Sequence, residues 1–135
     1  MNPTMTMHYL GQLRCRGTHL KSGETLWTDA PPDNNGKGES FSPTDLMCTS
    51  LAACMITIMG ITAEKKELDL QGVDATIIKV MANDPRRVAE IKIAMKISGN
   101  LDDRGRRLLQ AAALACPVAR SLHPDINQDV VFEYV

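Results

Sequence analysis

The uncharged stretch from Leu46 to Thr62 places the tightest limit on how this chain can fold. Apolar side chains recur along it at helical spacing, and further apolar residues widen that stripe nearly all round: the first set is Met47, Leu51, Cys54 and Ile58, and the second is Leu46, Met55 and Met59. A helix that is apolar on most sides must be covered on most sides. With 17 residues, four of them Ser or Thr, the stretch falls short of the about 20 predominantly apolar residues that span a membrane. We therefore predict the buried central helix of a globular domain.

The residues on either side of this stretch indicate where the helix begins and ends. Ser42-Pro43-Thr44-Asp45 is a typical helix start, because serine caps free amides, proline suits the first position and an early acid favours the helix dipole. At the other end, Gly60 and the polar residues after it either end the helix or let it bend and continue to about Lys66.

Length and charge limit the class of protein. A chain of 135 residues fits one domain, spanning residues 1–135. A formal net charge of −1 gives no reason to expect nucleic acid or an anionic membrane as partner. The N-terminal residues show no basic segment followed by an apolar one, so we expect no secretory signal and a cytoplasmic location. Structural disulfides are improbable there, which leaves the four cysteines as core residues, metal ligands or reactive thiols.

The rest of the chain has the pattern of an α+β protein with an antiparallel sheet. "LRCRGTHL" and "ETLWTDA" flank a short turn and predict a hairpin, and "PPDNNGKGESF" predicts a loop. After the apolar helix, "VDATIIKVMA" and "RVAEIKIAMKISG" predict two more strands, and "VVFEYV" predicts the last. In "RVAEIKIAMKISG", one face is apolar and the other polar, as in a half-buried strand. The apolar face consists of Ala89, Ile91, Ile93, Met95 and Ile97.

A second helix is predicted to begin near Asp102 and to be interrupted at Pro117. Its apolar stripe consists of Leu108, Leu109, Ala112, Ala113 and Cys116. If Pro117 starts a new turn, Cys116 is the N-cap of that turn, where free amides and the helix dipole stabilise a thiolate. Otherwise Cys116 is a buried thiol at an ordinary helix end.

The pattern alone leaves the role of the cysteines open. A lone cysteine on an apolar stripe, such as Cys54, is usually a small hydrophobic residue. Helices that share a core can bring Cys54 and Cys116 together, but periodicity does not show that they do. Cys15 and Cys48 are interpreted as packing residues. No close cysteine pair exists and the histidines are scattered, so the sequence predicts no metal and no cofactor; nothing in it orients His123 for a Cys–His acyl-transfer site.

Two segments, "FSPTDLMCTSLAACM" and "ACPVARSL", resemble the OsmC/Ohr family of osmotically inducible and organic-hydroperoxide-resistance proteins. The resemblance covers nearly the whole chain, from the N-terminal hairpin to the last strand. It implies an OsmC-like fold in which an antiparallel sheet packs on the buried central helix. It also implies an intertwined homodimer with two active sites at the subunit interface, which would cover the apolar helix.

The same resemblance implies a thiol-dependent peroxidase that reduces organic hydroperoxides or hydrogen peroxide. Cys54 would be the peroxidatic cysteine that becomes a sulfenic acid, and Cys116 would be the resolving cysteine that forms a disulfide with it. A dithiol or thioredoxin-like reductant would restore both thiols. Because burial in an apolar pocket disfavours a thiolate, a cation must compensate, and the family position for that arginine matches Arg14.

The chain departs from several relatives at one position of this implied site. They carry a glutamate directly after the helix-start proline, where it pairs with the arginine, and this chain has Thr44 there. Glu39 and Asp45 are the two candidates to replace it. The alternative function, in another class, is a non-enzymatic small-molecule-binding or redox-sensing protein with the same fold.

Overall fold

The first of two compact units in the protein is a three-stranded antiparallel sheet. The computed structural model describes residues 1–135, which form the units Met1–Met47 and Cys48–Val135. The sheet of the first unit is ordered β1-β2-β3. Its strands are β1, Met5–Gly11; β2, Arg14–His19; and β3, Thr25–Asp29. The predicted hairpin is confirmed as β2–β3, and β1 is an additional strand that pairs with β2. The prediction of one domain over 1–135 stays a prediction.

Helix α1, Pro43–Lys66, begins with the predicted cap. The Asp45 amide donates to Ser42 Oγ at 3.0 Å, and the Ser42 amide donates to Asp45 Oδ2 at 2.9 Å. This reciprocal pair is a capping box, which satisfies amides that have no partner inside the helix. The helix continues through Gly60 to Lys66, so the longer of the two predicted ends is correct.

The buried face of α1 differs from the predicted stripe. The buried side chains are Cys48, Leu51, Ala52, Met55, Met59 and Ala63. Of the predicted stripe, Met47, Cys54 and Ile58 are only half-buried. The prediction was wrong here because a helix that is apolar all round does not show which side faces the core. By length and composition α1 is the one helix that could cross a membrane, a test that core helices also pass.

The sheet of the second unit consists of β4, Gly72–Ala82; β5, Arg87–Ser98; and β6, Asn127–Tyr134. Strands β4 and β5 are antiparallel, as predicted. Strand β6 joins β5 in parallel, which the antiparallel prediction did not include. The reason is the connection: two helices lie between β5 and β6, and such a crossover returns the chain to the end of the sheet from which β5 started.

Strand β5 alternates between buried and exposed side chains, with one irregularity. Ile91, Ile93, Met95 and Ile97 are buried as predicted. Ala89 is only half-buried, and Val88 is buried in its place. The ladder shifts register there, pairing Val80 with Glu90 and Met81 with Val88, so that Ala89 has no opposite residue. Because one extra residue reverses the alternation of a strand, the assignment of Ala89 to the buried face was wrong.

The remaining elements are α2, Asp103–Leu114, and α3, Pro117–Ser121. Asp102 caps α2 by accepting a hydrogen bond from the Gly105 amide at 2.8 Å. The buried side chains of the second unit come mainly from α1, β5 and α2, and α2 supplies Leu109 and Ala113. Leu108 and Ala112, predicted for the same stripe, are half-buried at its edges.

Candidate thiol site

Cys116 occupies the break between α2 and α3. Its backbone is extended (φ −67°, ψ 156°), it is the N-cap of α3, and Pro117 is the first helical residue. The Ala119 amide donates to Cys116 Sγ at 3.4 Å. Proline causes this arrangement because it cannot donate within α2 and its fixed φ suits the first turn of a new helix. Of the two predicted alternatives, the N-cap geometry is correct.

The structure brings the thiols of Cys54 and Cys116 together within the second unit. Both are free, Cys54 half-buried on α1 and Cys116 0 % exposed. Burial raises the pKa of the Cys116 thiol, and a hydrogen bond and charge interaction with Cys54 raise it further. The Ala119 and Val118 amides act in the opposite direction. The Cys116 thiol therefore keeps its proton to a higher pH than an ordinary thiol, and Cys54 is the more exposed residue of the pair.

The other two cysteines do not belong to this pair. Cys48 is 2 % exposed on the buried face of α1. Cys15 is half-buried in β2, between Tyr9 on β1 and Thr28 on β3. Their interpretation as packing residues stays a prediction. No group of three or more His, Cys, Asp and Glu side chains is arranged to hold a metal.

Arg14 lies in the first unit among two carboxylates and an indole ring. Its Nη2 donates to Glu39 Oε2 at 2.7 Å and lies 3.4 Å from Asp29 Oδ2. The guanidinium carbon lies 5.1 Å from the centre of the Trp27 ring, a cation–π contact. The Glu39 hydrogen bond is the largest contribution that raises the pKa of Arg14. The side chain is thus fixed in position and fully charged.

Asp29 is the second carboxylate of this cluster, and the sequence did not single it out. Its side chain is 0 % exposed, and it accepts from the Glu39 amide at 3.0 Å. That hydrogen bond is the largest contribution that lowers the pKa of Asp29. Burial raises this pKa, and the hydrogen bond and charge of Arg14 lower it further. Its role depends on the β2–β3 register, in which Asp29 is directly opposite Arg14, and a single strand does not show that register.

The two candidates to replace the family glutamate have different partners. Glu39 binds Arg14, as above, whereas Asp45 is held in the capping box of α1. The loop that carries Glu39 is tied by backbone hydrogen bonds to the end of β3, from the Asp29 amide to Phe41 O, and to the residue after that strand, from the Gly38 amide to Ala30 O. Of these two candidates, Glu39 is the one that pairs with Arg14, beside Asp29.

Comparison with known proteins gives a consistent result. Residues 36–130 match the family model of OsmC-like proteins. Among solved structures, a Psychrobacter arcticus protein named for osmotic stress induction and a detoxification response is 50 % identical, with a TM-score of 0.94, over 98 % of this chain and 97 % of that one. No curated protein sequence matches the chain.

More distant structures share the fold. An organic hydroperoxide resistance protein OsmC from Legionella pneumophila is 18 % identical, with a TM-score of 0.72, over 96 % of this chain and 94 % of its own. An organic hydroperoxide resistance protein from Elizabethkingia anophelis is 13 % identical, with a TM-score of 0.76, over 97 % and 94 %. The α+β fold predicted from the sequence is the fold of these proteins.

Proposed function

The chain belongs to the OsmC-like protein family, and from this premise we propose that it is a thiol-dependent peroxidase for organic hydroperoxides or hydrogen peroxide. The observation that carries the proposal is the contact between the free thiols of Cys54 and Cys116. Two similar structures belong to organic hydroperoxide resistance proteins, which favours this substrate class. A pair of inert core cysteines would have no need to be adjacent.

The difference in burial between the two thiols supports the proposed division of roles. Cys54 is half-buried, so a peroxide can reach it, whereas Cys116 is 0 % exposed. The raised pKa of Cys116 keeps its S–H, which can donate to a thiolate at Cys54. These features support Cys54 as the peroxidatic cysteine and Cys116 as the resolving cysteine.

The proposed cycle has three steps. The Cys54 thiolate attacks the O–O bond, takes one oxygen as a sulfenic acid, and releases an alkoxide that gains a proton to become an alcohol. The Cys116 thiol then displaces the hydroxyl of the sulfenic acid, which leaves as water, and an S–S bond forms. Two thiols of a dithiol or thioredoxin-like reductant reduce the disulfide by exchange and become oxidised themselves.

Arg14 is proposed as the cation that compensates the thiolate. A thiolate in apolar surroundings needs such a charge, and the two carboxylates hold the guanidinium in one orientation. Arg14 is already paired with Glu39. How strongly it stabilises a thiolate therefore depends on that ion pair.

We also propose a homodimer in the cytoplasm. Outside its buried face, α1 presents Ile58 half-buried and Ile61 43 % exposed, and an apolar surface of this kind is typical of an interface. A second copy of the chain would cover it.

Ile61→Glu should then shift the protein from dimer to monomer in sedimentation velocity. Ile78→Glu, at an isoleucine 60 % exposed on β4, is the matched control and should leave the dimer intact; equal sedimentation of both variants would count against the α1 interface.

The activity is tested by dithiol-dependent consumption of cumene hydroperoxide. The wild type should turn over, Cys54→Ser should lose activity by at least a hundredfold, and Cys116→Ser should consume about one equivalent and stop. Cys48→Ser is the matched control, a buried cysteine on the same helix, and should retain turnover. Absence of turnover in the wild type, with both thiols still reduced, would overturn the proposal and favour a non-enzymatic binding protein.

A further inference from the structure

We propose that Gln128 is a positioning residue for Cys116, the resolving cysteine of the proposed cycle. Gln128 Nε2 donates to Ala119 O at 3.1 Å, and the amide of the same Ala119 donates to Cys116 Sγ at 3.4 Å. The side chain of Gln128 therefore acts on the thiol through one residue of α3. This inference rests on the proposed roles of Cys54 and Cys116, and it adds a residue of β6 to their site.

Gln128 is the one amide side chain on the half-buried side of β6. The half-buried residues of this strand are Gln128, Val130, Phe132 and Tyr134. In the β5–β6 register, Gln128 is paired with the buried Ile91. A polar side chain in such a place costs free energy unless it is hydrogen-bonded. The bond to Ala119 O meets this requirement, whereas packing alone would be served by an apolar residue.

Helix α3 depends on contacts from outside for its position. It has five residues, and so short a helix is not stable without tertiary contacts. Ala119 O is one of its last carbonyls, for which a helix has no amide donor of its own. The amide four residues on belongs to His123, beyond the end of α3 at Ser121. Gln128 supplies a donor instead and so ties α3 to the sheet.

Arg120 ties α3 to the end of α2. Its Nε donates to Ala115 O at 2.9 Å. In an unbroken helix Ala115 O would accept from the Ala119 amide, but here that amide donates to Cys116 Sγ. Arg120 is exposed and Gln128 is half-buried, so the Gln128 bond competes less with water and is the stronger of the two ties.

A fixed α3 matters for the second step of the proposed cycle. In that step Cys116 Sγ displaces the group carried by Cys54 Sγ, and the rate of such an intramolecular reaction depends on the alignment of the reacting atoms. Without the Gln128 donor, the Ala119 peptide is free to turn and its amide leaves Cys116 Sγ. The first step, the attack by Cys54, involves no atom of α3 and should not change.

The test replaces peroxide by 5,5′-dithiobis(2-nitrobenzoate), so that it does not depend on peroxidase activity. The full chain, with Cys15→Ser and Cys48→Ser to leave one pair of thiols, is mixed with less than one equivalent of this reagent. The Cys54 thiolate attacks the S–S bond of the reagent and releases one thionitrobenzoate. The Cys116 thiolate then displaces a second thionitrobenzoate from Cys54 and forms the Cys54–Cys116 disulfide, and both thiols lose their protons to solvent. The absorbance of thionitrobenzoate gives the rate of each release.

Gln128→Met removes the donor and keeps a side chain of similar length. It should leave the first release within about twofold of the parent rate and slow the second about tenfold. Gln128→Lys, which keeps a donor, should recover most of that loss. Gln110→Met is the matched control, because Gln110 Nε2 donates to Tyr134 Oη at 2.9 Å in the same unit, and both of its releases should match those of the parent.

A second release that is unchanged in Gln128→Met, slowed equally in Gln110→Met, or not recovered in Gln128→Lys would overturn the inference and leave the peroxidase proposal standing. The expected pattern, together with an absence of cumene hydroperoxide turnover, would support the role of Gln128 in thiol exchange and overturn the peroxidase function alone.

Discussion

Oxidation of Cys54 and Cys116 to a disulfide should stabilise the folded protein by about 3 kcal/mol. The cross-link would close a loop of about 62 residues, and the loss of chain entropy in the unfolded state is then about 4 kcal/mol. Against this, Cys116 Sγ now accepts a hydrogen bond from the Ala119 amide. Weakening that hydrogen bond costs about 1 kcal/mol, so the net stabilisation by the disulfide is about 3 kcal/mol.

The measurement is urea unfolding of the reduced and the oxidised protein at one fixed concentration. With a denaturant dependence of about 2 kcal/mol/M, the midpoint should rise by about 1.5 M on oxidation. Cys54→Ser, treated with the same single equivalent of peroxide, should show no rise, and Cys48→Ser should show the full one. A midpoint that stays the same or falls, although mass analysis shows the cross-link, would refute the reasoning that the two thiols are already placed to join.

Two further predictions concern the two faces of the β4-β5-β6 sheet and the cluster of Arg14, Asp29 and Glu39. Ile93→Ala should lower the free energy of unfolding by about 2–5 kcal/mol, because Ile93 is 1 % exposed. Ile78→Ala, on the open side of the same sheet, should cost less than about 1 kcal/mol; similar urea midpoints for the two would contradict the assignment of faces. For Asp29 the folded pKa is lowered, so its contribution to stability is present above the ordinary value of 3.8 and is lost as the pH falls through the folded pKa. The difference in unfolding free energy between wild type and Asp29→Asn should therefore shrink in acid, and a pH-independent difference would argue against an ionised Asp29.

The helix boundaries and the strand alternation could be predicted because they depend on local chemistry. The capping residues Ser42 and Asp45, and Pro117 after Cys116, act within a few residues of themselves. The same holds for β5, whose alternation requires only that one face be buried. The bulge at Ala89 could not be predicted, since it depends on the register with β4 and not on β5 itself.

Predicting how the site residues are arranged required information that the sequence of a single strand or helix does not contain. Periodicity placed Cys54 and Cys116 on apolar stripes but gave no distance between helices, and the resemblance to a known family supplied their pairing. Asp29 was missed because its importance comes from facing Arg14 across a hairpin. The pairing of Glu39 with Arg14 depends on the path of a loop rich in glycine, proline and asparagine, which composition does not determine.

The central claim is that Cys54 and Cys116 act as one redox pair. Intact-mass analysis and peptide mapping of the reduced protein after one equivalent of cumene hydroperoxide test it most directly. We predict the loss of two hydrogens per chain and a single cross-linked peptide pair that contains Cys54 and Cys116, with Cys15 and Cys48 still reduced. Four free thiols after the treatment, or a cross-link that involves a different cysteine, would contradict the account.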